Sequence, residues 1–256
     1  MKDYLYDQLS EREWHGSVGS IKSIVIGEGV TSIGNYSFRE CTNLTSATIP
    51  NSVTSIGDSS FSECNSLTSV TLNSNPQIQP NAFPVTATVT MNLTANPVGD
   101  DKWMTFFNDG YHFKADENTT VYKGTLSDSS VSLTEVADKI VTKGNAVILK
   151  STGNPVMTLN SAASSDGYDA ATNDLKGVSD VDGLLSNGSI YVLNNGKSGV
   201  GFYKLKSGKT LGYGKAYLSS TSAPSYLNFE EDETTSLSEE LRVKNEEFAT
   251  AVLSNL

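Results

Sequence analysis

Residues 21–43 (IKSIVIGEGVTSIGNYSFRECTN) align without a gap onto residues 44–66 (LTSATIPNSVTSIGDSSFSECNS), with 11 of 23 positions identical. A tandem repeat of this length constrains the fold more than any other feature of the chain, because a short unit that recurs has to bury its apolar face against its own copies. A third block, Leu67–Phe83, opens with the same Leu-Thr-Ser-x-Thr and reaches its phenylalanine one residue early, which makes it a degenerate third turn.

The apolar residues hold fixed places in each turn: Ile21, Ile24, Ile26, Val30, Ile33, Phe38 and Cys41, then Leu44, Ala47, Ile49, Val53, Ile56, Phe61 and Cys64. Ordering the backbone of one such turn costs more free energy than burying its few side chains returns, so a single turn does not fold alone. Stacking solves this. Each aliphatic row lies on its copy in the next turn, and the strands pair in parallel at roughly 4.8 Å. The pattern predicts a short parallel solenoid of two and a half turns over residues 21–83.

The opening of each turn, as in Leu67-Thr68-Ser69-Val70-Thr71-Leu72, is a leucine-rich-repeat strand signature. Combined with Val-Thr-Ser-Ile-Gly-x-x-Ser-Phe-x-x-Cys at a period of 23, it resembles the BspA-like leucine-rich-repeat proteins displayed by anaerobic gut and oral bacteria. The usual proline after the strand is present at Pro50, whereas the first turn has Gly27 there, a departure confined to a convex-side bend. The resemblance implies an extracellular or cell-surface location and a β-rich domain after the repeats. It also implies that Met1 is an internal methionine with a signal sequence upstream. In such proteins an acidic stretch leads to a small C-terminal sorting domain of the Por secretion type, so the resemblance implies either a clipped end or another mode of anchoring.

The rest of the chain reads as strands. Val85–Leu93 alternates strictly, with Val85, Ala87, Val89, Met91 and Leu93 on one face, and is expected to cap the open end of the solenoid. Short β-type runs follow at Trp103–Phe107, Tyr111–Phe113, Thr120–Lys123, Val131–Val136, Ala146–Lys150, Val156–Leu159, Ser189–Leu193, Gly199–Leu205 and Lys215–Leu218, separated by Gly, Asn, Asp and Ser. Their even spacing predicts an antiparallel β-sandwich or barrel. The fold class is therefore mainly β. The expected organisation is an N-terminal cap segment over 1–20, repeats over 21–83, a capping strand and linker over 84–99, an all-β domain over 100–228 and an acidic tail over 229–256. In that tail Ser236 and Glu239 form a capping-box pattern, with Leu237 and Leu241 at helical spacing.

Charge and residue chemistry narrow the function. With 29 acidic against 18 basic residues the formal charge is −11, a field that repels nucleic acid and anionic lipid, and no apolar run is long enough to insert in a membrane. No catalytic constellation stands out. The two histidines, His15 and His112, have no GxSxG nucleophile elbow to serve. Gly196-Lys197-Ser198 lacks the upstream glycine of a phosphate loop and reads as a hairpin turn. Asp166, Asp169 and Asp174, or Asp180 with Asp182, lack EF-hand spacing and read as acidic loops, so no metal and no cofactor is expected. Cys41 and Cys64, one period apart, read as a buried small-residue ladder of free thiols, with a disulfide across neighbouring turns as the alternative.

Two function classes follow. The first is a non-catalytic surface or secreted interaction protein that adheres to a protein or glycan on a host or bacterial surface. Its contact residues would be the outward positions of the repeat strands: Lys22, Ser23, Val25, Thr45, Ser46, Thr48, Thr68, Ser69 and Thr71. The second is a carbohydrate-binding accessory module, in which Trp103, Phe106, Phe107, Tyr111, Tyr203, Tyr213 and Tyr217 offer a stacking platform or, alternatively, a core.

Overall fold

A computed structural model describes residues 10–94, 101–160 and 172–231. The expected acidic tail beyond residue 231, with its capping-box pattern, and the residues Asp166 and Asp169 lie outside the described residues. What is described is mainly β, with almost no helix.

Each turn of the repeat contributes two strands. The longer ones, β1 (Ser23–Val25), β3 (Ser46–Ile49) and β5 (Ser69–Leu72), pair in parallel. The shorter ones, β2 (Ser32–Ile33), β4 (Ser55–Ile56) and β6 (Gln77–Ile78), form a second parallel ladder. In both, residue i meets its copy: Ser23 faces Ser46 and Ser46 faces Ser69, while Ile33 faces Ile56 and Ile56 faces Ile78. Ile33, Phe38, Cys41, Leu44, Ile49, Val53, Ile56, Phe61 and Cys64 are all buried between the ladders, as the periodicity requires. On the far side the backbone takes the left-handed conformation at the same phase in successive turns, at Tyr36 and Ser59 and again at Glu40 and Glu63. In the shortened third turn the corresponding residue is Asn81, 22 positions beyond Ser59.

The first turn is covered by residues 10–20. Trp14 stacks on Phe38, Phe38 on Phe61 and Phe61 on Phe83, with ring centroids 5.6, 5.1 and 5.5 Å apart, so a tryptophan takes the place of the repeat phenylalanine one turn earlier. Further in, the amides of Tyr36, Phe38 and Glu40 donate to the carbonyls of Asp58, Ser60 and Ser62 in the next turn. The first turn has no preceding turn to do the same for it. Buried Arg12 supplies donors instead, to the carbonyls of Arg39 at 2.7 Å and of Tyr36 and Ser37 at 3.4 Å, and Trp14 Nε1 donates to Ser37 O at 3.1 Å.

At the other end, strand β7 (Thr88–Asn92) pairs in parallel with β5, Ser69 facing Thr88, and so forms a fourth rung only 19 residues on. Its opposite edge pairs antiparallel with β14 (Val156–Leu159), which in turn pairs with β9 (Phe113–Ala115), and β9 with β12 (Ile140–Val141). The solenoid sheet thus runs on through the later strands as one seven-stranded sheet. The strict alternation expected from Val85 starts three residues late. Ala87 N–H donates to Pro84 O in a turn, leaving Val85 95% exposed, while Val89, Met91 and Leu93 point inward.

A second group of strands comprises β8 (Trp103–Phe107), β10 (Thr119–Leu126), β11 (Ser130–Glu135), β13 (Ala146–Ser151), β15 (Lys176–Gly177), β17 (Ile190–Gly196), β18 (Gly199–Lys204), β20 (Ala216–Ser219) and β21 (Tyr226–Glu231). They form a nine-stranded sheet, and a two-stranded pair of β16 (Leu184–Leu185) with β19 (Thr210–Leu211) lies apart. The sheet is not wholly antiparallel, because β21 runs parallel to β11, with Val131 facing Phe229. Strand β21 continues past the point where the composition turns acidic; Phe229 packs against Trp103 and Phe202, which is enough to hold it. Seven of the nine strands place buried side chains in one cluster that includes Trp103, Ile148, Tyr191, Phe202 and Leu218, so the sheet curls around it and is nearly barrel-shaped. Its ends approach where Phe107 N–H donates to Gly214 O.

Strands β8 and β13 are buried on both faces. Met104, Phe106, Val147 and Leu149 join the core shared with the repeats, whereas Trp103, Phe107, Ala146 and Ile148 join the core of the curled sheet. They form the wall between the two cores, which explains why their sequences are continuously apolar and do not alternate.

Candidate functional site

The outward face of the seven-stranded sheet is built by strand register. One row runs Val25, Thr48, Thr71, Thr90, Thr158, Lys114 and Ile140, each opposite the next. A parallel row runs Ser23, Ser46, Ser69 and Thr88. Of the nine repeat residues expected to face outward, Lys22, Ser23, Val25, Thr45, Ser46, Thr48, Thr68 and Ser69 are exposed and Thr71 is half-buried. Val25 is 89% exposed, an apolar side chain held in solvent at the edge of the sheet. The inward residues between them, Ala47, Ile49, Val70, Leu72, Val89 and Met91, are all buried, which fixes which side of each strand faces out.

The nine differ in chemistry. Thr45 Oγ1 donates to Lys22 O at 3.2 Å and Thr68 Oγ1 donates to Thr45 O at 3.3 Å, so these two hydroxyls brace one turn on the turn before it. Thr86 Oγ1, donating to Leu67 O, repeats the device at the fourth rung. Ser23, Ser46, Thr48, Ser69 and Thr71 carry no such bond among the described residues. The row beyond the repeats, Thr90, Thr158 and Lys114, extends the face and has no signature in the 23-residue period; the pairing of β7 with β5 places Thr90 there, and the pairings of β14 with β7 and with β9 place Thr158 and Lys114.

The aromatic residues divide. Trp103, Phe106 and Phe107 are buried and serve the cores. Tyr111, Tyr203, Tyr213 and Tyr217 are half-buried, and three of them have their hydroxyls engaged. Tyr111 donates to Gln79 O, Tyr203 to Gly199 O and Tyr213 to Asp109 Oδ1. Burial, together with the Asp109 carboxylate that accepts its proton, pushes the Tyr213 phenol far above its ordinary range. These seven rings are not brought together into one open platform.

His112 is half-buried and its Nδ1 accepts from Lys143 N–H at 3.4 Å; burial and the Lys143 cation hold its pKa below the ordinary range. Asp174 Oδ2 accepts from Leu126 N–H, and Asp180 Oδ1 accepts from Asp182 N–H in a tight turn. Gly196-Lys197-Ser198 lies at the β17–β18 hairpin, with Gly196 facing Gly199. Cys41 and Cys64 are buried free thiols, and Cys64 Sγ donates to Phe38 O at 3.1 Å. The hydrogen bond shared with Cys41, and then burial, hold the Cys64 thiol protonated well above the usual thiol range.

Among the described residues no helix is long and apolar enough to cross a membrane. Neither the curated proteins nor the solved structures gave a match to this chain. Residues 9–100 match a family model described as a BspA type leucine rich repeat region (6 copies). The periodic register, the buried Phe and Cys positions and this match agree, and the N-terminal part of the chain is a BspA-type leucine-rich repeat.

Proposed function

We propose that this protein is a non-catalytic interaction module of a bacterial exterior, which adheres through the outward face of the seven-stranded sheet. The observation that carries this reading is the unbroken row from Val25 to Ile140. It is rich in hydroxyls, at Thr48, Thr71, Thr90 and Thr158, and Lys114 is the one charged residue of the row, on a chain of net charge −11. Six strand spacings make it roughly 29 Å wide. A face four or five residues deep then offers on the order of 400 Å² per partner, about half that of a standard protein–protein interface, so single-site affinity is weak. Strength comes from many copies displayed together. A family of repeats tied to surface protein interaction supports a protein as the partner, with a surface glycan as the alternative. The nine-stranded sheet serves on this reading as a barrel-like carrier that presents the repeat face away from the point of attachment. The location, extracellular or at the cell surface, rests on the family.

Dense display on beads tests the reading. Beads bearing the protein are compared with beads bearing a Ser46→Glu, Thr48→Glu, Thr71→Glu variant, on surfaces coated with host extracellular proteins or with neutral glycans. Thr45 and Thr68 are left intact because their hydroxyls brace the turns. The variant beads are expected to lose most of their retention on protein-coated surfaces, and equal retention of both would remove the repeat face from the mechanism.

A further inference from the structure

A cavity of about 380 Å³ lies where the loops leaving successive rungs meet the curled sheet. Asn51, Asn73 and Asn75 form one wall, following β3 and β5, and Thr105, Tyr213 and Lys215 line the other. We propose that this cavity binds a single acidic sugar unit, with the Lys215 ammonium receiving its carboxylate and the side-chain amides of Asn51 and Asn73 its hydroxyls.

Four observations lead there. First, the volume lies within the range of small-molecule sites, at the lower end, and the lining mixes a few apolar side chains, Leu93, Met104 and Phe106, with convergent polar groups. A pyranose, apolar on its ring faces and polar at its rim, matches such a lining. Second, Lys215 is the one charged residue of the lining. It is half-buried, and it makes no ion pair among the described residues. Burial pushes its ammonium below the ordinary lysine range, so the cation is held at a cost that an entering anion would relieve. One cation facing neutral donors balances one negative charge, which fits a carboxylate better than a phosphate dianion.

Third, neutral donors stand ready. Asn73 Oδ1 accepts from Asn92 Nδ2 at 3.3 Å, which orients the amide and leaves Asn73 Nδ2 without a partner among the described residues. Fourth, the cavity is built on pinned backbone. Asn75 Nδ2 donates to Phe107 O at 2.9 Å and to Gly214 O at 3.4 Å, and Asn75 Oδ1 accepts from Asn108 Nδ2 at 3.2 Å. Gly214 has φ +75°, and a Cβ there would stand only 2.4 Å from Asn75 Nδ2, so the segment carrying Tyr213 and Lys215 is locked against the repeat. A site so held needs little ordering when a ligand enters.

The test is calorimetric titration of the full chain with sodium D-glucuronate, D-glucose, acetate and L-glutamate. Glucuronate should bind saturably in the millimolar range, and the other three at least about tenfold more weakly, a difference that corresponds to the loss of one good polar contact. Lys215→Met should weaken glucuronate by about tenfold or more while Lys215→Arg retains most of the affinity. Should Lys215→Met fail to fold, Asn73→Ala and the glucuronate-induced NMR shifts of the wild-type Asn73 and Asn51 side-chain amides replace it. Absence of saturable glucuronate binding, equal affinity for glucose or for acetate and glutamate, or an unchanged affinity in the lysine-to-methionine variant would each overturn the proposal. Beads bearing Lys215→Met should keep full retention through the sheet face, so failure here leaves the adhesion reading standing, and the reverse.

Discussion

The two halves of the molecule use the same material, short strands rich in Ser, Thr and Asn, and differ in how a strand finds its neighbour. In the repeats, each residue pairs with its own copy 23 positions away: Ser46 with Ser69, Ile33 with Ile56. In the curled sheet the neighbours are unrelated segments; Ser130 pairs with Asn228, and β13 with both β8 and β10. A periodic sequence therefore carries its own contact map, whereas an aperiodic one specifies strands without specifying partners. The difference also reaches into energetics. A rung deleted from the solenoid removes a layer from a one-dimensional stack, while a strand removed from the curled sheet opens its single closed cluster.

The sharpest way to break the comparison is to charge the middle of the stack. Ile56 is fully buried between Ile33 and Ile78. Ile56→Asp should cost more than about 4 kcal/mol, since an unpaired carboxylate has no partner there, and cooperative unfolding should vanish from the calorimetric trace. A trace like the parent's would mean that the inward assignment of the row is wrong.

In the curled sheet the corresponding weak point is a contact between ends. A Cβ on Gly177 would lie 1.9 Å from the Phe107 ring, so Gly177→Ala should destabilise by about 2 kcal/mol through overpacking, read as a lowered urea midpoint. The repeat amides should keep their native hydrogen-exchange protection under conditions where the curled sheet has begun to open; simultaneous loss would show one cooperative unit, joined through β8 and β13.

At the N-terminal end, Arg12→Met should remove the guanidinium donors from the first-turn carbonyls and cost about 1.5 to 2 kcal/mol. Faster amide exchange should be confined to the turn holding Tyr36 and Phe38. The cysteines should resist alkylation in the native state, being buried and, at Cys64, held protonated. Iodoacetamide under denaturing, non-reducing conditions should then modify two sites by mass; finding none would mean a Cys41–Cys64 bridge. The smallest effect is expected at Val85→Ser. Period-2 alternation puts Val85 on the core face of a strand, while its 95% exposure predicts a change within about 0.5 kcal/mol. A larger loss would restore the longer strand.

The repeat period, the inward rows, the strand face of the repeats and most of the strand positions in the second half are all readable from residue order, because periodicity and alternation are local properties of the chain. Trp103–Phe107 and Val156–Leu159 coincide with β8 and β14 to the residue. Tyr111–Phe113 does not become the strand expected there, since Asn108 Oδ1 accepts from the amides of Gly110 and Tyr111 and holds a turn, so β9 starts at Phe113. Trp14 carries a weak hint, an aromatic close to one period before Phe38, but its stacking on Phe38 appears only once the first turn is built.

Which strand lies beside which was decided in three dimensions. The extension of the outward face by Thr158 and Lys114, the parallel seat of β21 beside β11 and the placing of Asn73 and Lys215 around one cavity all join residues far apart in sequence. Nothing local marks such pairs. Long-range pairing is settled by which apolar faces can be buried together, and in this chain the two-sided wall of β8 and β13 settles it, by giving the repeats and the curled sheet one surface against which both must pack.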